Sequence, residues 1–303
     1  MRKAISLIST LTAVLTLALS LTFCTERIDI DTGSIDSKVV VYGTLVDTEG
    51  YQSIVVRSTR DYFDPDFHGD YLAGAEIKIY TASGKTYELV EYPNANGFYA
   101  SDMKMSVEPG ELLLEMNINE ETHAEGAGYY LISEIVPQPV QLDSITIERS
   151  KLMGVEVFNL YVYAQDPPDE ENYYLFSTIV KNSEGAITYS STAITSYTLM
   201  DDSGFDGTYM DKMQVLTFIS SKYNSSGSSG SGVIYVSPGD EVTLQMSSIS
   251  EGYYKFLTEC QSVKNGTNPF FGGPPSNIYT NIPGGAGYFT GHCPTFATAV
   301  VPE

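Results

Sequence analysis

The stretch KVVVYGTLV, residues 38–46, decides the fold class of this chain. Its β-branched side chains pack well on a pleated surface, and the run is too short to favour a helix. Turn residues such as Ser83–Gly84 and Pro109–Gly110 separate further runs of the same kind. These runs lie at residues 52–57, 75–80, 86–90, 97–99 and 112–118. Short strands at this spacing predict a β-sandwich over residues 38–137.

A second β-rich domain is predicted over residues 141–303. The segment Val136–Val140 indicates the join, because neither of its two prolines can donate to a central ladder. Strands are predicted at residues 143–148, 155–164, 173–181, 215–220, 233–237 and 242–247. We expect the strand at 155–164 to pair with that at 173–181 across an acidic loop. The sequence therefore predicts an all-β protein of two β-sandwich domains.

One amphipathic helix is predicted near the C-terminal end of the second domain. Ser248 and Glu251 have the spacing of a capping box. Apolar side chains then recur at helical intervals, namely Ile249, Tyr253, Phe256, Leu257, Cys260 and Val263. Gly266 and Pro269 should end the helix, and its apolar stripe should pack on the second sheet. In the glycine-rich stretch that follows, Tyr288 and Phe289 are expected to lie in a last strand.

The N-terminus has the pattern of an export signal. Two basic residues precede residues 4–23, which contain no ionisable side chain. Leu21–Cys24 resembles a bacterial lipobox, although Phe23 stands where a small residue is usual. An uncleaved membrane anchor is the alternative. The prediction is a signal peptide over residues 1–23, an acyl chain such as palmitate on Cys24, and a lipidated tether over residues 24–37.

The net charge of the chain restricts the classes of partner that it can bind. There are 16 Lys and Arg residues against 38 Asp and Glu residues, which gives a formal net charge of −22 at pH 7. Such a field repels phosphate groups and anionic membrane surfaces, so nucleic acid is not expected as a partner. It suits cationic or metal-bearing cargo instead.

No catalytic motif is present in the sequence. The three histidines, His68, His123 and His292, are isolated, and there is no HExxH, GxSxG, CxxC or phosphate-binding glycine loop. We therefore expect a protein that is not an enzyme and that needs no cofactor. A hydrolase that uses His68 or His292 is a less favoured alternative, because triads can assemble from distant residues.

Two acidic loops carry the hard oxygen ligands that calcium prefers. The candidate ligands of the first loop are Asp61, Asp64, Asp66 and Asp70, but Ala75 stands where a bidentate Glu should close the loop. The second loop, residues 201–207, has Met213 at its closing position. Solvated acidic turns are the alternative at both loops. The first loop also carries rings that either pack into the core or bind a partner: Tyr62, Phe63 and Phe67.

Two cysteines remain if Cys24 is acylated. They are Cys260 and Cys293, and an exported location would permit a disulfide between them. Two buried free thiols are the alternative, because sequence spacing does not give their separation.

An ordered series of motifs carries a resemblance to a known family. The motifs are Cys24 with residues 28–31, then residues 39–45, 74–79, Gly84, Gly97, Tyr99, and residues 142–145, 205–207, 242–244, Ile249, Ser250, Tyr253, and residues 268–270, 277–278 and 284–289. Together they resemble the DUF4249 lipoproteins of the Bacteroidota over nearly all of the mature sequence. The resemblance implies an Ig-like or transthyretin-like first domain and no established catalytic residues. It also implies an outer-membrane lipoprotein, commonly encoded beside TonB-dependent receptors, that faces the periplasm or the cell surface.

The expected function follows from the lipobox and this resemblance. We expect an outer-membrane lipoprotein that is accessory to a TonB-dependent transporter in nutrient capture or uptake. The alternative is a structural or adhesive surface protein of fimbrial type. In that case residues 298–301 would be a candidate donor strand.

Overall fold

The computed structural model describes residues 37–48, 50–59, 70–119, 127–190, 197–224, 233–266 and 278–303. These residues are mostly in strands, with one α-helix and one short 3-10 helix, so the prediction of an all-β protein is confirmed. In this part of the chain no helix has the length and apolar character needed to cross a membrane. Asp36–Glu303 groups together as one compact unit that contains both predicted domain ranges.

The strands mostly begin and end close to the predicted positions. In chain order they are β1 Val39–Val46, β2 Ser53–Ser58, β3 Glu76–Tyr80, β4 Thr86–Glu91, β5 Phe98–Ser101, β6 Gly110–Ile118, β7 Gly128–Val136, β8 Leu142–Leu152, β9 Val155–Gln165, β10 Tyr173–Lys181, β11 Ile187–Ser190, β12 Thr198–Asp201, β13 Tyr209–Ser220, β14 Tyr235–Val236, β15 Glu241–Ile249, β16 Ala286–His292 and β17 Pro294–Val300. The helix α1 is Glu251–Gly266, and the 3-10 helix is Ser221–Tyr223. The strands β7, β11, β12 and β17 were not predicted.

The first sheet has eight strands in the order β16-β1-β2-β5-β4-β3-β6-β7. Neighbours are antiparallel except β16, which runs parallel to β1 from Val40↔Ala286 to Val46↔His292. The first core cluster, which includes the fully buried Phe289 of β16, fills the inner face of this sheet. In place of the two hydrogen-bonded sheets of the predicted sandwich, one sheet curls in a barrel-like manner. Its eighth strand comes from the C-terminal part of the chain.

Glycines allow β16 to lie against β1 and the core. Gly287 has a φ of +84°, and a Cβ there would lie 2.1 Å from the carbonyl oxygen of Val41. A Cβ on Gly291 would lie 2.8 Å from Cγ1 of Val107. At position 287, only glycine permits both the positive φ and the close approach of the two backbones. The expected last strand with Tyr288 and Phe289 is thus present, and it is inserted into the first sheet.

Two smaller sheets face each other in the C-terminal half. One has the order β11-β10-β15-β17 with β12 also beside β10, and the other has the order β14-β13-β9-β8. A second core cluster lies between them and includes the fully buried Phe158, Phe176 and Phe218. The predicted pairing of 155–164 with 173–181 is wrong, because β9 pairs with β8 and β13 whereas β10 pairs with β15. The acidic loop between β9 and β10 contains two prolines and crosses from one sheet to the other.

The helix α1 begins later than the capping box predicted. Ser248 lies in β15, and its Oγ accepts a hydrogen bond from the amide of Val140 at 3.2 Å. The cap is Ser250, whose Oγ accepts a hydrogen bond from the amide of Tyr253 at 3.2 Å. The helix packs on β10 of the second sheet, as expected, and also on Tyr288 of β16 in the first sheet. It therefore ties the two halves of the unit together.

A buried carboxylate joins the two edge strands of the first sheet. Glu134 of β7 accepts a hydrogen bond from the hydroxyl of Tyr288 at 3.1 Å and another from Nδ2 of Asn281 at 2.9 Å. Burial raises the pKa of Glu134 above its ordinary value, although these hydrogen bonds oppose the shift. Because β7 and β16 are the ends of the strand order, this bridge closes the curled sheet.

Candidate functional site

An acidic concavity lies where two loops meet at one end of the two smaller sheets. The β9–β10 loop and the β12–β13 loop are brought together because Gln165 pairs with Tyr209 and Tyr173 pairs with Asp201. We call the resulting concavity the acidic cleft. It has a volume of about 640 Å³ and is lined by Asp169, Glu170, Glu171, Tyr173, Asp201, Asp202, Ser203 and Asp206. Its lining contains six carboxylates and no basic side chain.

Three carboxylates meet beneath the acidic cleft. One oxygen of each of Asp166, Asp202 and Asp206 lies within 4.8 Å of the others. Asp166 is fully buried, and it accepts hydrogen bonds from the hydroxyl of Tyr174 and, at 2.9 Å, from the amide of Gly207. Asp202 accepts a bond of 2.9 Å from the amide of Asn172, and Asp206 accepts one of 3.1 Å from the amide of Asp169. The trio therefore clamps the two loops to each other.

The negative charges of these three carboxylates repel one another. Burial raises the pKa of Asp166 above its ordinary value, and the nearby carboxylates Asp202 and Asp206 add to the rise. The hydrogen bonds from Tyr174 and Gly207 act in the other direction and favour the ionised form. A cation bound in the cleft would reduce the repulsion that remains.

Tyr173 lines the acidic cleft and packs against a second tyrosine, Tyr254. The ring centroids of Tyr173 and Tyr254 are 4.9 Å apart. The Tyr254 hydroxyl donates to Asp201 at 3.0 Å, and the Tyr173 hydroxyl donates to Glu171 at 2.9 Å. Burial, together with Glu171, raises the pKa of Tyr173 to about 12. Aromatic faces beside carboxylates are the surroundings that organic cations favour.

The cleft continues into a second concavity of about 340 Å³. The two share Glu170, Glu171 and Tyr173, and the second extends to the join at residues 137–140 and to the start of α1. An elongated cationic segment could therefore lie along both. The carboxylate oxygens are also of the type that calcium binds. However, the trio is already satisfied by backbone and tyrosine donors, which gives it a structural role without an ion.

Most of the predicted site residues lie outside the described residues. These are Cys24, the ring-bearing positions Tyr62, Phe63 and Phe67, and the candidate ligands Asp61, Asp64 and Asp66. Asp70 is described and lies on the surface next to β2, where its backbone bonds to Ser58. The second acidic loop is present, and the structure joins its Asp202 and Asp206 to Asp166. Sequence reasoning did not single out Asp166, although its position directly after a strand and before two prolines was a usable signal.

The two cysteines are free thiols in the structure. Cys293 is buried in the first core cluster. Cys260 is half-buried on α1 and packs against a third core cluster, which surrounds the helix and consists of Ile249, Tyr253, Phe256, Leu257 and Tyr288. Burial raises the pKa of Cys293 to about 12 and also raises the pKa of Cys260. The disulfide considered from sequence is not formed here.

Neither a catalytic histidine nor a free donor strand emerges from the described part of the chain. His292 is buried, its Nδ1 has no hydrogen-bond partner among the described residues, and burial lowers its pKa to about 4. Within those residues no hydrogen bond links its ring to a serine, cysteine or carboxylate. Residues 298–300 lie in β17 and pair with β15, and Val301 is buried.

Solved structures similar to this chain show only distant likeness. A DUF4785 family protein from Legionella pneumophila has a TM-score of 0.25 at 12% identity, with 69% of this chain and 52% of that chain covered. A tetra-tandem repeat in the extending region of a large adhesion protein has a TM-score of 0.21 at 13% identity, with 70% and 45% covered. The adhesin InvE of Yersinia pseudotuberculosis has a TM-score of 0.19 at 14% identity, with 71% and 55% covered. The chain thus spans about half the length of these proteins.

Sequence comparison identifies the chain more directly. No curated protein matches it. The family described as "Domain of unknown function (DUF4249)" matches residues 25–295, which include every described strand up to β16 and the start of β17. The chain belongs to the DUF4249 family.

Proposed function

We propose that this protein is an outer-membrane lipoprotein, held by acyl chains on Cys24, that acts as a non-enzymatic accessory of a TonB-dependent transporter in nutrient capture or uptake. The observation that carries the proposal is Leu21–Cys24, a lipobox-like sequence behind an uncharged apolar run. The compact β-rich unit that follows would then act at the envelope, facing the periplasm or the cell surface.

The chemistry of the acidic cleft supports binding rather than turnover. Four of its six lining carboxylates, those of Glu171, Asp201, Asp202 and Asp206, accept hydrogen bonds from backbone amides or tyrosine hydroxyls. None lies next to a histidine among the described residues. A catalytic site needs a nucleophile or base held within reach of a substrate atom. These hydrogen-bonded carboxylates and the ring of Tyr173 suit recognition of a positively charged group instead.

A cationic cargo, or a basic loop of the transporter, is the partner that this cleft fits. Its six lining carboxylates concentrate negative potential in a concave space, which raises the local concentration of cations. A polyphosphate or other polyanion would be repelled from the same space.

The proposal is tested by affinity purification of the tagged lipoprotein from mildly cross-linked cells, followed by mass spectrometry. We expect a TonB-dependent receptor among the recovered proteins and acyl chains on Cys24. Recovery of the lipoprotein without a receptor, or an unmodified thiol at position 24, would contradict the proposal.

Two charge-reversal variants test whether the acidic cleft is the surface that contacts the receptor. Glu170→Lys combined with Glu171→Lys changes the acidic cleft, whereas Glu184→Lys changes an exposed turn between β10 and β11. We expect the first variant to lose receptor recovery and the second to keep it. Equal recovery with both variants would move the contact away from the cleft.

A further inference from the structure

The hairpin between β8 and β9 ends in two exposed apolar side chains. Leu152 pairs with Val155, so Met153 and Gly154 alone form the turn, with φ of +49° and +84°. A two-residue turn of this type strongly favours Asn-Gly or Gly-Gly, because most side chains are strained at positive φ. Here the position carries methionine, which is 97% exposed, beside Leu152, which is 59% exposed. The turn thus presents an apolar group to solvent at a conformational cost.

Three basic side chains lie close to this apolar tip. A concavity of about 520 Å³ beside it is lined by Arg149, Lys151 and Lys222 and by a single carboxylate, Glu156. Arg149 and Lys222 both pair with Glu156, the latter at 2.8 Å, yet their side chains are about half exposed. Lys222 also lies 5.2 Å from the ring centroid of Tyr223. This is a locally positive surface on a chain whose net charge is −22.

We propose that this surface is a membrane contact that takes anionic lipid. We call it the basic tip and define it as Arg149, Lys151, Leu152, Met153, Lys222 and Tyr223. Leu152 and Met153 enter the boundary between headgroups and acyl chains, while the three basic groups bind lipid phosphates and Tyr223 lies at the interface. The contact is separate from acylation of Cys24 and does not depend on it.

The shape of the basic tip favours lipid over a protein partner. Stable protein interfaces bury about 800 Å² on each partner and place hot-spot side chains in fitted pockets. The apolar part of the tip is two adjacent residues on a convex turn, and the concavity beside it is lined mainly by charged and polar side chains. A lipid surface adapts to such a projection, and its phosphates supply the negative charge that the basic groups require.

The negative charge elsewhere on the chain does not prevent this contact. At physiological ionic strength, charges more than about 8 Å apart in solvent are largely screened. The lipid phosphates at the tip would therefore experience mainly the nearby basic groups. Each Lys or Arg near an anionic surface strengthens binding about fivefold. Binding should accordingly be weak, reversible and sensitive to salt.

The absence of tryptophan from the chain allows a direct test. Residues 36–303 are used, because this unit contains every described strand and all three core clusters. Met153→Trp makes a single-tryptophan protein with its reporter in the turn. The matched control is Tyr92→Trp, at a position 61% exposed beside the first sheet. Both proteins are mixed with phosphatidylglycerol-containing vesicles, with neutral phosphatidylcholine vesicles and with brominated lipids.

We expect the emission of Met153→Trp to shift to the blue and to be quenched by brominated lipid, with anionic vesicles only and less at high salt. The emission of Tyr92→Trp should not change. Absence of a shift, or an equal shift in both proteins, would overturn the proposal. A shift with soluble polyglutamate but not with vesicles would also overturn it, in favour of an acidic protein partner.

A second variant separates loss of binding from loss of folding. Met153→Asn should fold at least as well as the natural chain, because Asn tolerates positive φ in this turn. We expect its flotation with anionic vesicles to fall about tenfold, because an apolar side chain no longer enters the lipid. The flotation of Lys151→Glu should fall by more than about fivefold. Flotation equal to that of the natural chain in both variants would overturn the proposal.

Discussion

Glu134 and Tyr288 are joined by a hydrogen bond of 3.1 Å across the gap between the two edge strands of the first sheet. Replacing Glu134 with alanine should lower the free energy of unfolding by about 2–4 kcal/mol, because Tyr288 and Asn281 would lose a buried acceptor. Glu134→Gln keeps an acceptor and should cost about 1 kcal/mol or less. Urea unfolding followed by circular dichroism measures both, and equal losses would contradict the bridging role.

The same carboxylate predicts a pH dependence. The pKa of Glu134 is raised in the folded state, so the folded chain holds this proton to higher pH than the unfolded chain. Its contribution to stability is therefore fully present below the ordinary value of 4.5 and is lost as pH rises through the raised folded pKa. Glu134→Gln should show a smaller loss of melting temperature than the natural chain over that range. An identical slope in both proteins would refute this assignment.

Tyr174 should matter far more than its neighbour Tyr173. Tyr174→Phe removes a buried donor from Asp166, and we expect a loss of about 1–3 kcal/mol. Tyr173→Phe removes a bond to Glu171 at an exposed site and should cost about 0.5 kcal/mol or less. Chemical denaturation of the two variants under identical conditions checks the comparison. Similar losses would show that the clamp beneath the acidic cleft does not depend on Tyr174.

Alanine substitutions at Gly287 and Gly84 distinguish the effect of a close contact from the effect of backbone strain. Both have positive φ, at +84° and +80°, but a Cβ would touch Val41 only at Gly287. We expect Gly84→Ala to cost about 1 kcal/mol and Gly287→Ala more than about 3 kcal/mol, because only the latter displaces β16 from β1. Thermal unfolding measures the difference. Equal costs would mean that the backbone relaxes without loss of strand pairing.

The two thiols should differ in reactivity. Cys293 is 2% exposed and has a pKa of about 12, whereas Cys260 is half-buried on the helix. In residues 36–303 at pH 8, we expect iodoacetamide to label Cys260 about tenfold faster than Cys293. Peptide mass spectrometry over time gives the ratio. If no free thiol can be labelled after denaturation in the absence of reductant, the two cysteines instead form a disulfide.

Glu156 predicts the opposite pH behaviour to Glu134. Hydrogen bonds from Lys222 and Arg149 lower the pKa of Glu156 to about 2. Its stabilising effect is therefore present above its ordinary value of 4.5 and is lost as pH falls toward 2. Glu156→Gln should be less stable than the natural chain at pH 7, and the difference should shrink as pH falls through about 2. The control, Glu148→Gln, breaks an exposed pair with Lys212 and should be near neutral throughout.

Local patterns predicted the strands well but not their partners. The run Val39–Val46 and the alternation in β9 and β10 fix strand character through branched and aromatic side chains. Alternation alone does not state which strand lies alongside, so β9 and β10 were paired across a loop that in fact crosses between sheets. The pairing of β16 with β1 could not be predicted either, because parallel pairing of residues 246 positions apart leaves no local signal in the sequence.

The candidate site was predicted only in part. The second acidic loop was recognised from its spacing, yet its third carboxylate, Asp166, belongs to a different loop and approaches only through the register of β9 with β13. The basic tip was missed for a similar reason. Lys222 joins Arg149 and Lys151 only when β13 lies beside β9.

The insertion of β16 also sets the order in which the chain can mature. Because β1 lies between β2 and β16, its second edge stays unpaired until residues 286–292 have been synthesised. The first sheet therefore cannot be completed while the chain is still growing through its C-terminal half. Closure of so long a loop is slow, so we expect the pairing of β1 with β16 to be a late step in folding.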